Sequence, residues 1–125
     1  MKKGEFYYIE NEKELHSQND FYLVKIDCIN SKEELLYDYS IKLKFPSYFG
    51  FNWDAFKDCL SDLENIAQNT VIIYHQELPM LKESDLITYL EILNEAVIQW
   101  HKYEDHVFEV YFNMQDYDKV HQLIG

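Results

Sequence analysis

The run Thr70-Val71-Ile72-Ile73-Tyr74 constrains the fold more than any other stretch of the chain. It is almost continuously apolar, so it reads as a central strand covered on both faces. Its neighbours in sequence carry a different period. Ser84 begins a long helical pattern with Leu86, Leu90, Leu93, Val97 and Trp100 on its apolar side. Before the run, two shorter helical patterns follow a strand pattern at Phe21–Cys28. Strands separated by helical segments imply an α/β fold with a small parallel sheet.

The flanking elements can be placed the same way. In Phe21–Cys28, Tyr22, Val24, Ile26 and Cys28 alternate with Lys25 and Asp27. Ser31 followed by Glu34 fits a capping box, and Leu35, Leu36, Tyr39 and Leu43 give the first helix its apolar face. That helix must stop before Pro46, because the residue preceding a proline is pushed out of the α region. Asn52 caps a second helix expected from Trp53 to about Ala67. His106–Phe112 alternates with Phe108, Val110 and Phe112 on one face, and a short helix follows from Gln115. The expected architecture has about three parallel strands packed against helices. Phe6-Tyr7-Tyr8-Ile9 offers an extra N-terminal edge strand. A single domain over residues 1–125 is expected, with 1–20 an extension and 21–112 the core.

Charge narrows the function. Eleven basic residues, every one a lysine, stand against 23 acidic ones, for a net charge of −12. Without arginine the chain lacks the preferred bidentate reader of phosphates and bases. It suits neither nucleic acid nor an anionic membrane, and fits a basic protein partner better; acidity that serves solubility alone is the plainer alternative. No signal-peptide pattern follows Met1-Lys2-Lys3. A cytoplasmic, monomeric protein is expected, with Cys28 and Cys59 reduced and acting as small buried apolar residues.

The densest segment runs from Lys44 to Leu63. Phe56, Leu60 and Leu63 fall at helical spacing and form a buried stripe, while Asp54, Asp58 and Asp62 share another face. A solvated charged face explains the aspartates without any function. The loop before them adds Tyr48, Phe49 and Phe51 around Gly50. Rings beside carboxylates suit a protein interface, although the same rings could fill the core below. Gly50 permits a positive φ or a close approach.

Phe45-Pro46-x-Tyr48-Phe49-Gly50-x-Asn52-Trp53-Asp54-Ala55-Phe56-x-Asp58-Cys59-Leu60 closely resembles the signature of the barstar family. The order of elements agrees over roughly residues 21 to 112. The resemblance implies a barstar-like fold and an inhibitor that plugs the active site of a basic, barnase-like ribonuclease or related toxin nuclease. In that family the second helix and the loop before it do this, with carboxylates taking the place of substrate phosphate. Carried over by position, Asp58 is the central anchor, Asp54 the second carboxylate, and Tyr48 packs on the enzyme. Gly50 and Asn52 shape the loop. Phe49, Lys57 and Asp62 complete the expected contact set. Lys57 departs from the family pattern, which has an aromatic contact there; Phe49 replaces a tyrosine, and Trp53 a smaller apolar residue that we assign to the core. A further family carboxylate sits on a later helix, where Glu83 and Asp85 are the candidate counterparts.

Two other readings compete. One is an immunity protein of the same fold against a different toxin, which Lys57 keeps open. The other is a small hydrolase using His75 as general base. The five histidines, His16, His75, His101, His106 and His121, form no His-x-x-x-His or Cys-x-x-Cys ligand pair. No phosphate loop or nucleophile elbow is present, so no enzyme activity, cofactor or metal is expected.

Overall fold

A computed structural model describes residues 2–15 and 20–125, which leaves His16 outside the described residues. The strands are β1 (Lys2–Lys3), β2 (Phe6–Ile9), β3 (Tyr22–Ile26), β4 (Thr70–His75) and β5 (Val107–Asn113). The helices are α1 (Lys32–Lys42), α2 (Trp53–Leu60), α3 (Glu83–Trp100) and α4 (Tyr117–Ile124). The sheet has the order β1-β2-β5-β4-β3. β2, β5, β4 and β3 run parallel, and β1 turns back antiparallel on β2.

The expected α/β architecture holds, with β4 between β5 and β3. One sheet face packs under all four helices. Val24, Ile26, Val71, Ile73, Phe108, Val110 and Phe112 meet Leu36, Phe56, Leu90 and Val120 there. The other face has a smaller cover, in which Ile72 and Tyr74 pack with Ile9 and Leu15. Leu15 comes from a 3₁₀ turn at Glu12–Leu15, so this second cover is supplied by the N-terminal arm and not by a helical layer. Phe6-Tyr7-Tyr8-Ile9 does form a strand, but β1 lies outside it. Phe6, Tyr8 and Ile9 are all buried.

Local signals set the helix ends. The Ser31 hydroxyl accepts the Glu34 N–H at 3.1 Å, and the Glu34 carboxylate accepts the Asn30 N–H at 3.0 Å. At the far end of α1 the Leu43 N–H reaches the Tyr39 carbonyl and the Phe45 N–H reaches that of Ser40, ahead of Pro46. The expected α2 is too long: it ends at Leu60. There the Trp100 indole N–H donates to the Leu60 carbonyl at 2.8 Å, and the Ser61 hydroxyl takes that of Asp58 at 2.7 Å. Another helical turn would have to compete for those acceptors. The expected strand Phe21–Cys28 is also shorter. Cys28 lies beyond it, exposed and at φ 55°, and is not a buried apolar residue. Its N–H is held by the Glu77 carboxylate at 3.0 Å, which turns the chain out of the sheet. Cys59 is half-buried.

A polar chain crosses the core where β4 meets α3 and α1. His75 Nδ1 lies 3.0 Å from the Tyr111 carbonyl, which can only accept, so Nδ1 carries the proton. Nε2 therefore accepts from the Tyr89 hydroxyl at 2.7 Å, and Tyr89 accepts from Tyr39 at 2.6 Å. The ring also stacks on Phe112, with centroids 4.2 Å apart. Burial lowers the His75 pKa from 6.5 to about 4, against a smaller upward pull from the Tyr111 carbonyl. The unfolded chain thus binds this proton near 6.5 and the folded chain only near 4. Between those values the unfolded state holds more protons, so stability falls as pH falls from 6.5 towards 4. The loss from this group is on the order of 3 kcal/mol. Urea unfolding at pH 7, 6 and 5 should show this slope, and His75→Gln should flatten it. Equal slopes in both proteins would show that His75 does not carry it.

Candidate partner-binding face

Asn52 organises the start of α2. Its side-chain oxygen accepts the Ala55 N–H at 2.8 Å, and its amide donates to the Gly50 carbonyl at 3.3 Å. A Cβ on Gly50 would stand 3.0 Å from that amide nitrogen and press it aside, so glycine leaves room for its close approach. The positive φ belongs to the next residue: Phe51 has φ 52°, an uncommon conformation for a bulky side chain. Phe49 is buried and meets Phe45 and Phe51 at centroid distances of 5.0 and 4.8 Å. It therefore supports the loop from beneath. Phe51 is 50% exposed and Tyr48 86% exposed.

The helix then divides as its sequence suggests. Phe56 and Leu60 are fully buried, while Asp54 and Asp58 are exposed one turn apart. Leu63 and Asp62 lie past the helix end, in the turn that follows, so Asp62 does not continue the helical face. Asp62 still joins the group by proximity. Tyr48, Asp58 and Asp62 line one groove of about 340 Å³ between the aromatic loop and the 61–65 turn. Asp54, Asp58 and Asp62 form no ion pair among the described residues. Asp54 sits in the first turn of α2, where the helix dipole favours a negative charge.

Lys57 does not stand alone. Its ammonium reaches the Glu95 carboxylate of α3 at 2.9 Å, and that hydrogen bond, with the Coulombic attraction of Glu95, raises its pKa. Both side chains are more than half exposed, so the pair neutralises Lys57 without contributing much to folding. Glu95 was not legible as a site residue, because only the packing of α3 beside α2 brings it to Lys57. Of the two acidic residues considered on that later helix, Asp85 instead accepts the Trp53 indole N–H at 3.2 Å, and Glu83 is exposed in the first turn. Trp53 is half-buried, with its ring 6.0 Å from Phe56 and 6.2 Å from Tyr89, and it belongs chiefly to the core as expected.

The α2 face, its loop and the sheet beneath them fall within one matched segment. Residues 19–113 match the family model described as Barstar (barnase inhibitor). The chain belongs to the barstar family. The matched span runs from just before β3 to the end of β5, so the barstar core includes α1, α2 and α3, while β1, β2 and α4 lie outside it. No curated protein matches the chain at a significant level. The family is one of inhibitors, and in this barstar-family chain the residue first considered as a general base is sealed away: His75 is fully buried with both ring nitrogens engaged. No helix among the described residues is long and apolar enough to cross a membrane.

Proposed function

We propose that this protein inhibits a basic ribonuclease, barnase-like or from a related toxin, by covering its active site with α2 and the loop Phe45–Asn52. The observation that carries the reading is the pair Asp54 and Asp58, exposed, one turn apart and free of ion pairs among the described residues, with Asp58 sharing a groove with the almost fully exposed Tyr48. Unpaired carboxylates next to a rigid ring suit a cleft lined with Arg, Lys and His, where they take the place of substrate phosphate. Tyr48, Asp54, Asp58 and Asp62 make the contact; Gly50, Asn52 and Phe49 hold its shape. The strained backbone at Phe51 agrees with a loop shaped for binding. The protein acts in the cytoplasm as a monomer when free, and hydrolyses nothing itself.

The Lys57–Glu95 pair favours a second reading within the same class, an immunity protein against a different toxin nuclease. A neutral pair offers a donor and an acceptor where an all-acidic face would offer only acceptors. Titrating a barnase-like ribonuclease with the protein distinguishes the two. Stoichiometric loss of RNA cleavage, weakened by salt, supports the first reading, and full activity at molar excess of the protein contradicts it. Lys57→Ala should leave the urea midpoint unchanged and raise the association rate, because it removes a cation from a face that meets a basic partner. An association rate that falls would place Lys57 opposite an acidic or aromatic group of the target.

A further inference from the structure

A second cleft opens beyond the C-terminal end of α2, sharing Asp62, Leu63 and Glu64 with the groove that Tyr48 lines. It has a volume of about 340 Å³ and lies where β4 and β5 begin, between the 61–69 turn and the loop that follows α3. Trp100, Tyr103 and His106 line one side. Their rings touch in series but tilted, with centroids 5.6 Å apart from Trp100 to Tyr103 and 5.5 Å from Trp100 to His106. Asp62 and Glu64 line the other side, both exposed and without an ion pair among the described residues. Tyr103 is 53% exposed, so an aromatic face is open to a visitor.

The backbone adds to the same sign of potential. α2 and α3 both end at this cleft, and a helix C-terminus carries the negative end of its dipole. The last turn of α3 holds no basic residue. Lys57, in the last turn of α2, is engaged by Glu95, and His106 is held by Asp105 at 3.1 Å. Among the described residues no lysine lines the cleft. It is small for a ligand site, at the lower end of the roughly 300–1,000 Å³ range of such pockets, and suits one long side chain.

We infer that this cleft is a docking pocket for an arginine side chain of a protein partner. The Trp100 and Tyr103 planes are tilted 55° apart, so a planar guanidinium stacks on the exposed face of Tyr103, with Trp100 closing the side, while its N–H groups turn to Asp62 and Glu64. A nucleic acid or lipid phosphate is repelled by the same carboxylates. The identity of the partner rests on the proposed function, since Asp62 joins this cleft to the α2 face; the preference for a cation does not.

Two measurements test it separately. In the first, the ¹H–¹⁵N spectrum of the intact protein is followed during titration with N-acetyl-arginine amide or N-acetyl-citrulline amide at constant ionic strength. The Trp100 indole and Tyr103 signals should move saturably with the arginine probe and stay still with the neutral one. The variant Tyr103→Ala/Glu64→Gln should weaken that response by about tenfold, with its urea midpoint checked as a control. Equal shifts with citrulline, or shifts confined to α2, overturn the inference. In the second, the same variant is bound to a barnase-like ribonuclease, where it should dissociate several-fold faster than wild type. Inhibition with an unchanged dissociation rate removes the cleft from the contact and overturns the inference while leaving the proposed function standing. A saturable arginine response in a protein that does not inhibit the ribonuclease does the reverse.

Discussion

Phe56→Ala should cost about 3–5 kcal/mol of folding stability, the range for emptying a buried phenylalanine site. Phe56 is fully buried, and its ring is the hub of the helical side of the core. It meets Tyr39 of α1 edge-on at 4.8 Å, Trp53 of its own helix at 6.0 Å, and Tyr89 of α3 at 6.0 Å. Phe45 of the loop before α2 lies at 6.3 Å. Removing the ring leaves a cavity walled by four other rings, three of them tied down by hydrogen bonds. Tyr39 and Tyr89 share a hydrogen bond at 2.6 Å, and Trp53 is bonded to Asp85, so the site cannot readily collapse. A small domain is stable by only about 5–15 kcal/mol, so the variant should sit near its threshold at 37 °C. Urea unfolding followed by far-ultraviolet circular dichroism checks this. A loss under about 1 kcal/mol would mean that Phe56 is not the anchor that seats α2 on the core.

The parts of the fold readable from sequence are those decided by local pattern. The run Thr70–Tyr74 reads as a covered strand, and it is β4, paired on both sides in the parallel ladder. Ser31 with Glu34, and Asn52 before Trp53, named their helix starts because the capping side chains act within three or four residues. What could not be read depends on distant partners. β2 pairs with β5 from near the opposite end of the sequence, as in Tyr7 with Tyr111, so nothing near Phe6 announces that it joins the sheet interior with β1 outside it. The end of α2 is decided partly by the indole of Trp100, forty residues on. Gly50 was the obvious candidate for a positive φ, yet the loop places that strain on Phe51 and uses Gly50 to let the Asn52 amide come close. The candidate contact set shows the same division. Exposure of Asp54, Asp58 and Tyr48 agrees with the helical spacing and the loop composition, while the Glu95 partner of Lys57 and the displacement of Asp62 beyond the helix appear only in three dimensions.

The central claim is that α2 has one side that folds and another that binds. Asp58 is exposed, forms no ion pair among the described residues, and shares its helix with the like charge of Asp54 one turn away. In the free protein such a pair at i, i+4 is weakly repulsive. Asp58→Ala should therefore leave stability within about half a kcal/mol of wild type, as for ordinary surface sites. In the complex the same carboxylate loses water and meets cations. Truncating it leaves those cations buried and unpaired, at a cost on the order of 2–5 kcal/mol, expressed mainly as faster dissociation; the barnase–barstar pair is itself a worked example behind that expectation. The most direct test pairs urea unfolding of Asp58→Ala with its dissociation rate from the inhibited ribonuclease. The expected result is an unchanged urea midpoint with dissociation faster by about thirtyfold or more. An Asp58→Ala protein that unfolds early, or that holds the ribonuclease as long as wild type, would make Asp58 a structural residue and contradict the division of α2 into a folding side and a binding side.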